Sequence, residues 1–588
     1  MIKLFNLSIF ILIGYFSSVA QINLPIYEHA SENDKIAPYK YSRSLASSGI
    51  TSPPDFEIRT MAEWEEIQAL VVTWTAYEST LKEIVKYAKE ECTVIIICSD
   101  SNQVKTYLTN YGINSDNLEF IEKNYDSIWM RDYGTNTIYK DDVDSIYFVD
   151  WIYNRPRPND DVLPDAVADH TGITLYSTTS APNDLVHTGG NFMTDGLGTA
   201  FSSKLVLEEN DSGGQYNQTV KTEAEIDTIL KNYMGIDRFI LMETLPYDGI
   251  HHIDMHMKLL DEETLIVGEY PTDVADGPQI TANIEYVINN FNSAFGDPYN
   301  IISIPMPPDA SGDYPDDGWW VDYRTFTNSI FVNKTLLVPI YEEQYDSTAL
   351  RILRENLPGY KVVGIDCNNI IQAGGALHCI TRAIGVNDPL LISHQKLRNS
   401  WVAGNSYEVE ALIKHRSGIK SATVYFTTDT TQSFQTLAMT ESGIEENTWT
   451  ATMPQQNNFS TVYYYIQAEA ISGKTQVRPL TAPEGFWQFN IEENTGIFSI
   501  ENVGMQFHKV FPNPASAITY VKIVSTTNNE MELNIRNVLG QKVLDIHNGK
   551  IQKGINTFFF DASQLTMGTY LLVLSNSKGR MTQSLVVR

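Results

Sequence analysis

Ala69-Leu70-Val71-Val72-Thr73-Trp74, a helical pattern from Thr80 to Glu90, and then Thr93-Val94-Ile95-Ile96-Ile97 together decide the fold class. Two short apolar runs rich in β-branched residues, separated by a stretch of helical periodicity, read as strand, helix and strand. The alternation begins near Glu63 and continues to about Gly385, which predicts an α/β domain over residues 59–388. Cys92 and Cys98 flank the second strand, where strand rise sets them roughly 20 Å apart, beyond disulfide reach. They read as buried hydrophobes.

On either side of this domain the pattern changes. Residues 1–20 carry Lys3, an apolar run from Leu4 to Tyr15 and Ser18-Val19-Ala20, which reads as a signal peptide cut after Ala20. The run is too short for a membrane helix. Residues 21–58, with Pro25, Pro38, Pro53 and Pro54, are polar and irregular and read as a propeptide or N-terminal arm. Beyond the α/β domain the helical pattern fades, and Ala422–Thr427 and Thr461–Ile466 are strands within an immunoglobulin-like β-sandwich expected over 389–491. A polar linker covers 492–505. From 506 to 588 the strands Glu532–Ile535 and Lys542–Ile546, on either side of Asn537-Val538-Leu539-Gly540, predict a small C-terminal β-sandwich.

A chain of 588 residues exceeds what one core supports, so several domains are expected. Its 72 acidic and 41 basic residues give a net charge of −31, which excludes nucleic acid as a partner. The four cysteines form neither a disulfide framework nor zinc-ligand spacing. No metal and no cofactor is expected.

The chemistry lies in four islands. Gly374-Gly375-Ala376-Leu377-His378-Cys379 places a thiol after a glycine turn, where the backbone can approach a substrate closely. Trp129-Met130-Arg131-Asp132 offers an aromatic wall and a carboxylate, and His252-Ile253-Asp254 offers a carboxylate with an imidazole. On an extended strand His252 and Asp254 would share a face. Two aspartates suit a guanidinium, which is planar and always cationic. The histidine can donate a proton to a departing amine and later take one from water. Cys379 is the only cysteine beside a glycine turn, and the fourth island is His187-Thr188-Gly189-Gly190-Asn191. Taken singly, each island also fits a salt bridge, a satisfied hydrogen-bond pair or a turn beside a core strand.

These stretches, in this order across roughly residues 60–388, resemble the agmatine deiminase and bacterial (Porphyromonas-type) peptidylarginine deiminase family. The resemblance implies a five-fold pseudo-symmetric α/β propeller, the pentein fold, and hydrolysis of a guanidinium to a ureido group plus ammonia. It also implies Cys379 as nucleophile, His252 as acid and base, and Asp132 and Asp254 as guanidinium clamps. Trp129, Gly190, Asn191 and Asn328, the last in Tyr323–Asn328, are the expected substrate contacts. Tyr247 stands five positions before His252, where the family has a tyrosine just ahead of its histidine.

The agmatine-specific branch has a glutamate before its Gly-Gly-Asn and a proline after Arg-Asp-X-Gly. Here His187 and Thr135 depart from that pattern. Tyr153-Asn154-Arg155-Pro156-Arg157-Pro158 resembles the segment that holds a substrate's C-terminal carboxylate in the Porphyromonas-type enzymes. Arg155 and Arg157, stiffened by prolines, can grip one carboxylate, which agmatine lacks. The expected activity is therefore deimination of peptidyl-arginine, preferably C-terminal. Agmatine or free-arginine deimination is the alternative, and a catalytically idle surface binding protein is a third reading. The last block, with Pro512-Asn513-Pro514 and Gly568-Thr569-Tyr570, resembles the C-terminal sorting domain of type IX secretion, which implies that machinery as a partner and a secreted or outer-membrane cell-surface location.

Overall fold

The computed structural model describes residues 24–28, 32, 49–211, 216, 218–316, 321–397, 407–443, 446–455, 460–491, 505–507, 510, 513–516, 518–525, 527–576 and 579–588. The expected signal peptide and residues 492–504 of the expected linker lie outside these. None of the described helices is long and apolar enough to cross a membrane.

Between Ile58 and Gly385 the chain forms five small sheets that share one plan. A short strand pairs antiparallel with a longer one, a helix crosses over, and a third strand returns parallel to the longer one. In chain order the longer strands are Ile67–Thr73, Ser145–Tyr153, Thr199–Ser203, Thr264–Glu269 and Thr335–Ile340. Their parallel partners are Thr93–Cys98, Leu175–Thr178, Arg238–Met242, Asn300–Pro305 and Lys361–Asp366. The crossover helices are Glu78–Ala88, Leu163–Thr171, Glu223–Met234, Gly277–Asn290 and Glu343–Asn356. The first sheet takes its antiparallel strand from the far end of the domain, since Arg382–Gly385 pairs with Ile67–Val71. That pairing joins the end of the domain to its beginning.

The opening stretch folds as expected, with boundaries moved by two residues or fewer. The helix runs Glu78–Ala88 because Leu81, Ile84, Val85 and Ala88 recur at helical spacing and are buried, while Lys89 already caps the end. No repeat is visible in the sequence, yet the backbone plan repeats. A strand needs only alternating or continuous apolar character, which many different residues supply.

Two antiparallel sheets follow. Leu391–Ser393, Tyr407–Lys414, Thr448–Met453 and Thr440–Glu441 form one, and Gln435–Ala438, Ile419–Thr427, Ser460–Ala470 and Thr475–Arg478 the other, with Trp487–Ile491 also on Ser460–Ala470. Tyr407–Lys414 alternates buried and accessible residues, and its inward side chains join Val424, Tyr464 and Phe489 in a separate core. The last segment again packs two antiparallel sheets around Val521, Leu533, Leu572 and Leu585.

Candidate active site

Each sheet of the α/β domain contributes one segment, and each segment lies just ahead of the short antiparallel strand. Trp129–Gly134 precedes Asn136–Lys140, Gly189–Asn191 precedes Met193–Thr194, and His252–Met255 precedes Met257–Asp261. Thr325–Asn328 precedes Ile330–Val332, and Gly374–Thr381 precedes Arg382–Gly385. The same step in five copies of one plan brings together side chains that are far apart in sequence.

Cys379 is fully buried and is gripped by Asn328. The Asn328 side-chain amide donates to Cys379 Sγ at 3.1 Å, while its oxygen accepts from the backbone N–H of His378 at 2.9 Å and of Cys379 at 3.3 Å. The thiol stands 3.7 Å from Asp254 Oδ2. Burial, and then the carboxylates of Asp254 and Asp132, push it well above the ordinary thiol range. Gly374 is left-handed at φ +95°, and a Cβ on Gly375 would lie 2.7 Å from the Trp129 ring and 3.0 Å from the sulfur. The glycine pair therefore keeps one side of the thiol clear.

Asp132 accepts from the Gly190 N–H at 3.3 Å, and its Oδ1 is 3.7 Å from His252 Nδ1. Burial, reinforced by Asp254, pushes the Asp132 carboxyl up to about 7. Burial drives His252 down to about 3, so its ring is neutral at ordinary pH. His252 precedes a 3-10 turn, Ile253–Met255, and Asp254 lies in it, in place of the extended strand expected for them. They converge all the same, because the neighbouring segments pack against the turn: Thr327 Oγ1 donates to the Asp254 carbonyl at 3.1 Å. Both ring nitrogens of His252 and one oxygen of Asp254 are buried without a hydrogen-bond partner among the described residues. Unmatched polar atoms at this density, beside a thiol, suit a planar cation that donates several N–H bonds.

Sequence reasoning missed the support beneath Asp254. His378 Nδ1 is 2.7 Å from Asp254 Oδ2, and His378 Nε2 is 2.5 Å from Glu63 Oε1. Glu63 also pairs with Arg131 at 3.0 Å and with Lys258. Burial opposes its charge, but His378, Lys258 and Arg131 hold Glu63 well below the usual carboxylate range. His378 was readable as a neighbour of the thiol. Glu63, 315 positions away, gave no local sign.

The remaining expected residues divide. Trp129 lies with its ring against Gly375, and Gly190 faces His252 and Asp132. Asn191 bonds the backbone of Ser203 in both directions, at 2.8 and 3.3 Å, and so braces the turn. Tyr247 is half-buried and donates its backbone N–H to Asp276 Oδ1 at 2.8 Å. Arg155 and Arg157 hold residues of the N-terminal arm: Arg155 Nε donates to the Ile26 carbonyl at 2.9 Å, and Arg157 pairs with Glu32 at 2.9 and 3.1 Å. His187 stacks on Trp151 at 4.6 Å. No group of three or more His, Cys, Asp or Glu among the described residues is arranged to hold a metal ion.

The family profile of Porphyromonas-type peptidyl-arginine deiminase matches residues 59–384, and that of the secretion system C-terminal sorting domain matches 509–588. The latter points to a secreted or cell-surface protein. A Vibrio parahaemolyticus protein provisionally named an agmatine deiminase is 26% identical over 300 residues, 46% of this chain and 79% of its own. A Marinomonas protein with the same provisional name is 24% identical over 379 residues, 58% of this chain and 98% of its own. A solved structure provisionally named an agmatine deiminase superposes with a TM-score of 0.50 at 20% identity, covering 58% of this chain and 100% of that one, a likeness of fold. With its α/β domain matched over 59–384, the chain belongs to the Porphyromonas-type peptidyl-arginine deiminase family, whose members are hydrolases that act on the C–N bonds of guanidino groups.

Proposed function

We propose that this chain is an exported peptidylarginine deiminase that converts arginine, preferably at a peptide C-terminus, to citrulline. The observation that carries the reading is one buried cluster of Cys379, His252, Asp132 and Asp254, in which the thiol is 3.7 Å from Asp254 and His252 is 3.7 Å from Asp132. The five repeated units are read as a five-fold pseudo-symmetric α/β propeller spanning 59–388, with an immunoglobulin-like domain over 389–491 and a sorting domain from 506. A signal peptide over 1–20 starts the export route.

In this mechanism Asp132 and Asp254 clamp the guanidinium and concentrate its positive charge at the central carbon. The cation offsets the two carboxylates that hold the thiol protonated in the free enzyme, so the thiol ionises as substrate binds and its proton passes to the neutral His252 ring. The Cys379 thiolate attacks the central carbon, forming a C–S bond. A C–N bond then breaks, and the amine leaves as ammonia with a proton delivered by His252. Water, giving a proton back to His252, attacks the remaining thiouronium carbon. The C–S bond breaks as the added hydroxyl gives its proton to the released ammonia, leaving the ureido group, and His252 returns its proton to the thiolate.

Preference for a C-terminal arginine rests on Arg155 and Arg157. Arg157 already holds a carboxylate through two nitrogens, that of Glu32. The second reading, agmatine deimination, is favoured by the names of the curated relatives. A panel of a peptide ending in arginine, its C-terminal amide, a peptide with internal arginine, and agmatine separates the two. It is run on the exported chain and on a form beginning at Gly49, following ammonia and citrulline mass. Highest kcat/KM on the free C-terminal arginine is expected, with no product from Cys379→Ala. Equal activity in Cys379→Ala sinks the mechanism, and preference for agmatine sinks the substrate.

A further inference from the structure

The surface that should receive a peptide is occupied by the chain itself. Leu24, Ile26 and Glu32 are buried, although they belong to a segment that the sequence marks as polar and irregular. Ile26 N–H donates to the Ala373 carbonyl at 2.9 Å, and Trp129 Nε1 donates to the Leu24 carbonyl at 3.0 Å. Arg157 Nη2 donates to the carbonyls of Pro25 at 2.6 Å and Tyr27 at 3.2 Å. With the Arg155 contact to Ile26 and the Arg157 pair with Glu32, these bonds run to Trp129 and Ala373, which border the Cys379 turn, to Arg155, whose charge reaches Asp132 and His252, and to Arg157 two positions further on.

Three features distinguish this arrangement from ordinary packing of a terminus. First, the segment satisfies the arginine pair with carbonyls and a carboxylate, the same groups that the end of a peptide substrate offers. Second, it reaches the catalytic turn itself, since a Cβ on Gly374 would lie 2.5 Å from Ile26 Cγ2. Third, residues 21–34 contain no arginine, so they can fill the site without being turned over. Arg157 is taken out of water with the Glu32 carboxylate, and its three nitrogens are all engaged, while the half-buried Arg155 donates to the carbonyls of Ile26 and Asn154.

We propose that the surface formed by Trp129, Arg155, Arg157 and Ala373–Gly374 is the docking site of the chain's own N-terminal segment, through residues 24–28 and Glu32. The docked segment stands in for the peptide substrate and keeps the exported enzyme latent until it is removed. This rests on the reading of Arg155 and Arg157 as substrate contacts, and it adds regulation to it.

The test uses the full exported chain with a site-specific protease sequence in place of residues 36–42, so that cutting occurs after folding. The primary readout is the rate of Cys379 alkylation by iodoacetamide, followed by peptide mass mapping, with Cys92, Cys98 and Cys367 as buried internal references. Cutting and removing the segment is expected to speed Cys379 labelling at least tenfold, and the synthetic peptide 21–35 to restore protection. Glu32→Gln should raise the rate in the uncut chain. The kcat/KM for an arginine peptide should rise with labelling. Equal labelling rates before and after removal overturn the proposal, as does faster labelling with a citrulline turnover that is measurable in the uncut chain and no higher after cutting. Absence of citrulline from a cut protein whose thiol labels rapidly overturns the deiminase reading instead.

Discussion

Replacing Gly190 by alanine adds one methyl group at the junction of His252, the proposed acid–base group, and Asp132, a proposed guanidinium clamp. A Cβ built there lies 2.4 Å from His252 Nδ1, 3.1 Å from His252 Cγ and 3.2 Å from Asp132 Oδ1. Ordinary contact requires about 3.5 Å, so the imidazole must retreat by about 1 Å or tilt. A displacement of that size in an acid–base group costs about 100-fold in rate, or about 2.7 kcal/mol of transition-state stabilisation. The backbone at Gly190 is not left-handed, so alanine adds no φ strain, and overpacking should lower stability by about 1–3 kcal/mol. Steady-state citrulline release and urea unfolding should be measured side by side, with Gly249→Ala as reference because nothing lies within 4 Å of its built Cβ. A folded Gly190→Ala enzyme with kcat within threefold of the parent would refute the assignment of His252 to the proton transfers.

His378→Gln should lower kcat about 10- to 100-fold and raise KM for the arginine peptide through a mispositioned Asp254, with the urea midpoint measured alongside. An unchanged kcat and KM in a folded variant would mean that His378 only packs. Stability should also vary with pH in a defined window. Burial pushes the carboxyls of Asp132, Asp160 and Glu209 up to about 7 and that of Asp248 up to about 8. The folded protein therefore holds protons that the unfolded chain releases near pH 4, and stability from these groups falls as pH rises through their folded values. Buried His187 and His252, lowered to about 3, and His256 and His394, lowered to about 4, act in the opposite direction up to about pH 6.5. Between pH 6.5 and 8 only the carboxyl effect remains, so the urea midpoint should fall across that range, and Asp248→Asn should flatten the decline. A midpoint that rises would contradict this.

The alternation of strands and helix around Ala69–Ile97 was legible because each element buries one continuous apolar face, and that requirement is local. The thiol, the two aspartates and His252 were legible because their chemistry needs particular residue types beside particular turns. The geometry at His252 was not, since a 3-10 turn and a short strand place residues two apart in similar sequence contexts. Asn191, expected at the substrate, braces Ser203, because a side-chain amide serves a backbone partner as readily as a ligand. Arg155 and Arg157 read from the sequence as a grip for a substrate's carboxylate; in the fold Arg157 holds Glu32 and Arg155 the Ile26 carbonyl, partners that no local pattern announced.

The sequence alone determined the class of the domain, the reactive residue types and the order in which the chain presents them, because these depend on neighbours a few positions apart. Only the tertiary structure decided which carboxylate receives support, which amide holds the thiol, and what covers the arginine pair. Glu63, His378 and Asp254 meet from three separate segments, and residues 24–28 and Glu32 reach Trp129 and the arginine pair from outside the domain. Such contacts are set by how five sheets close on one another. No local pattern encodes a distance between residues hundreds of positions apart.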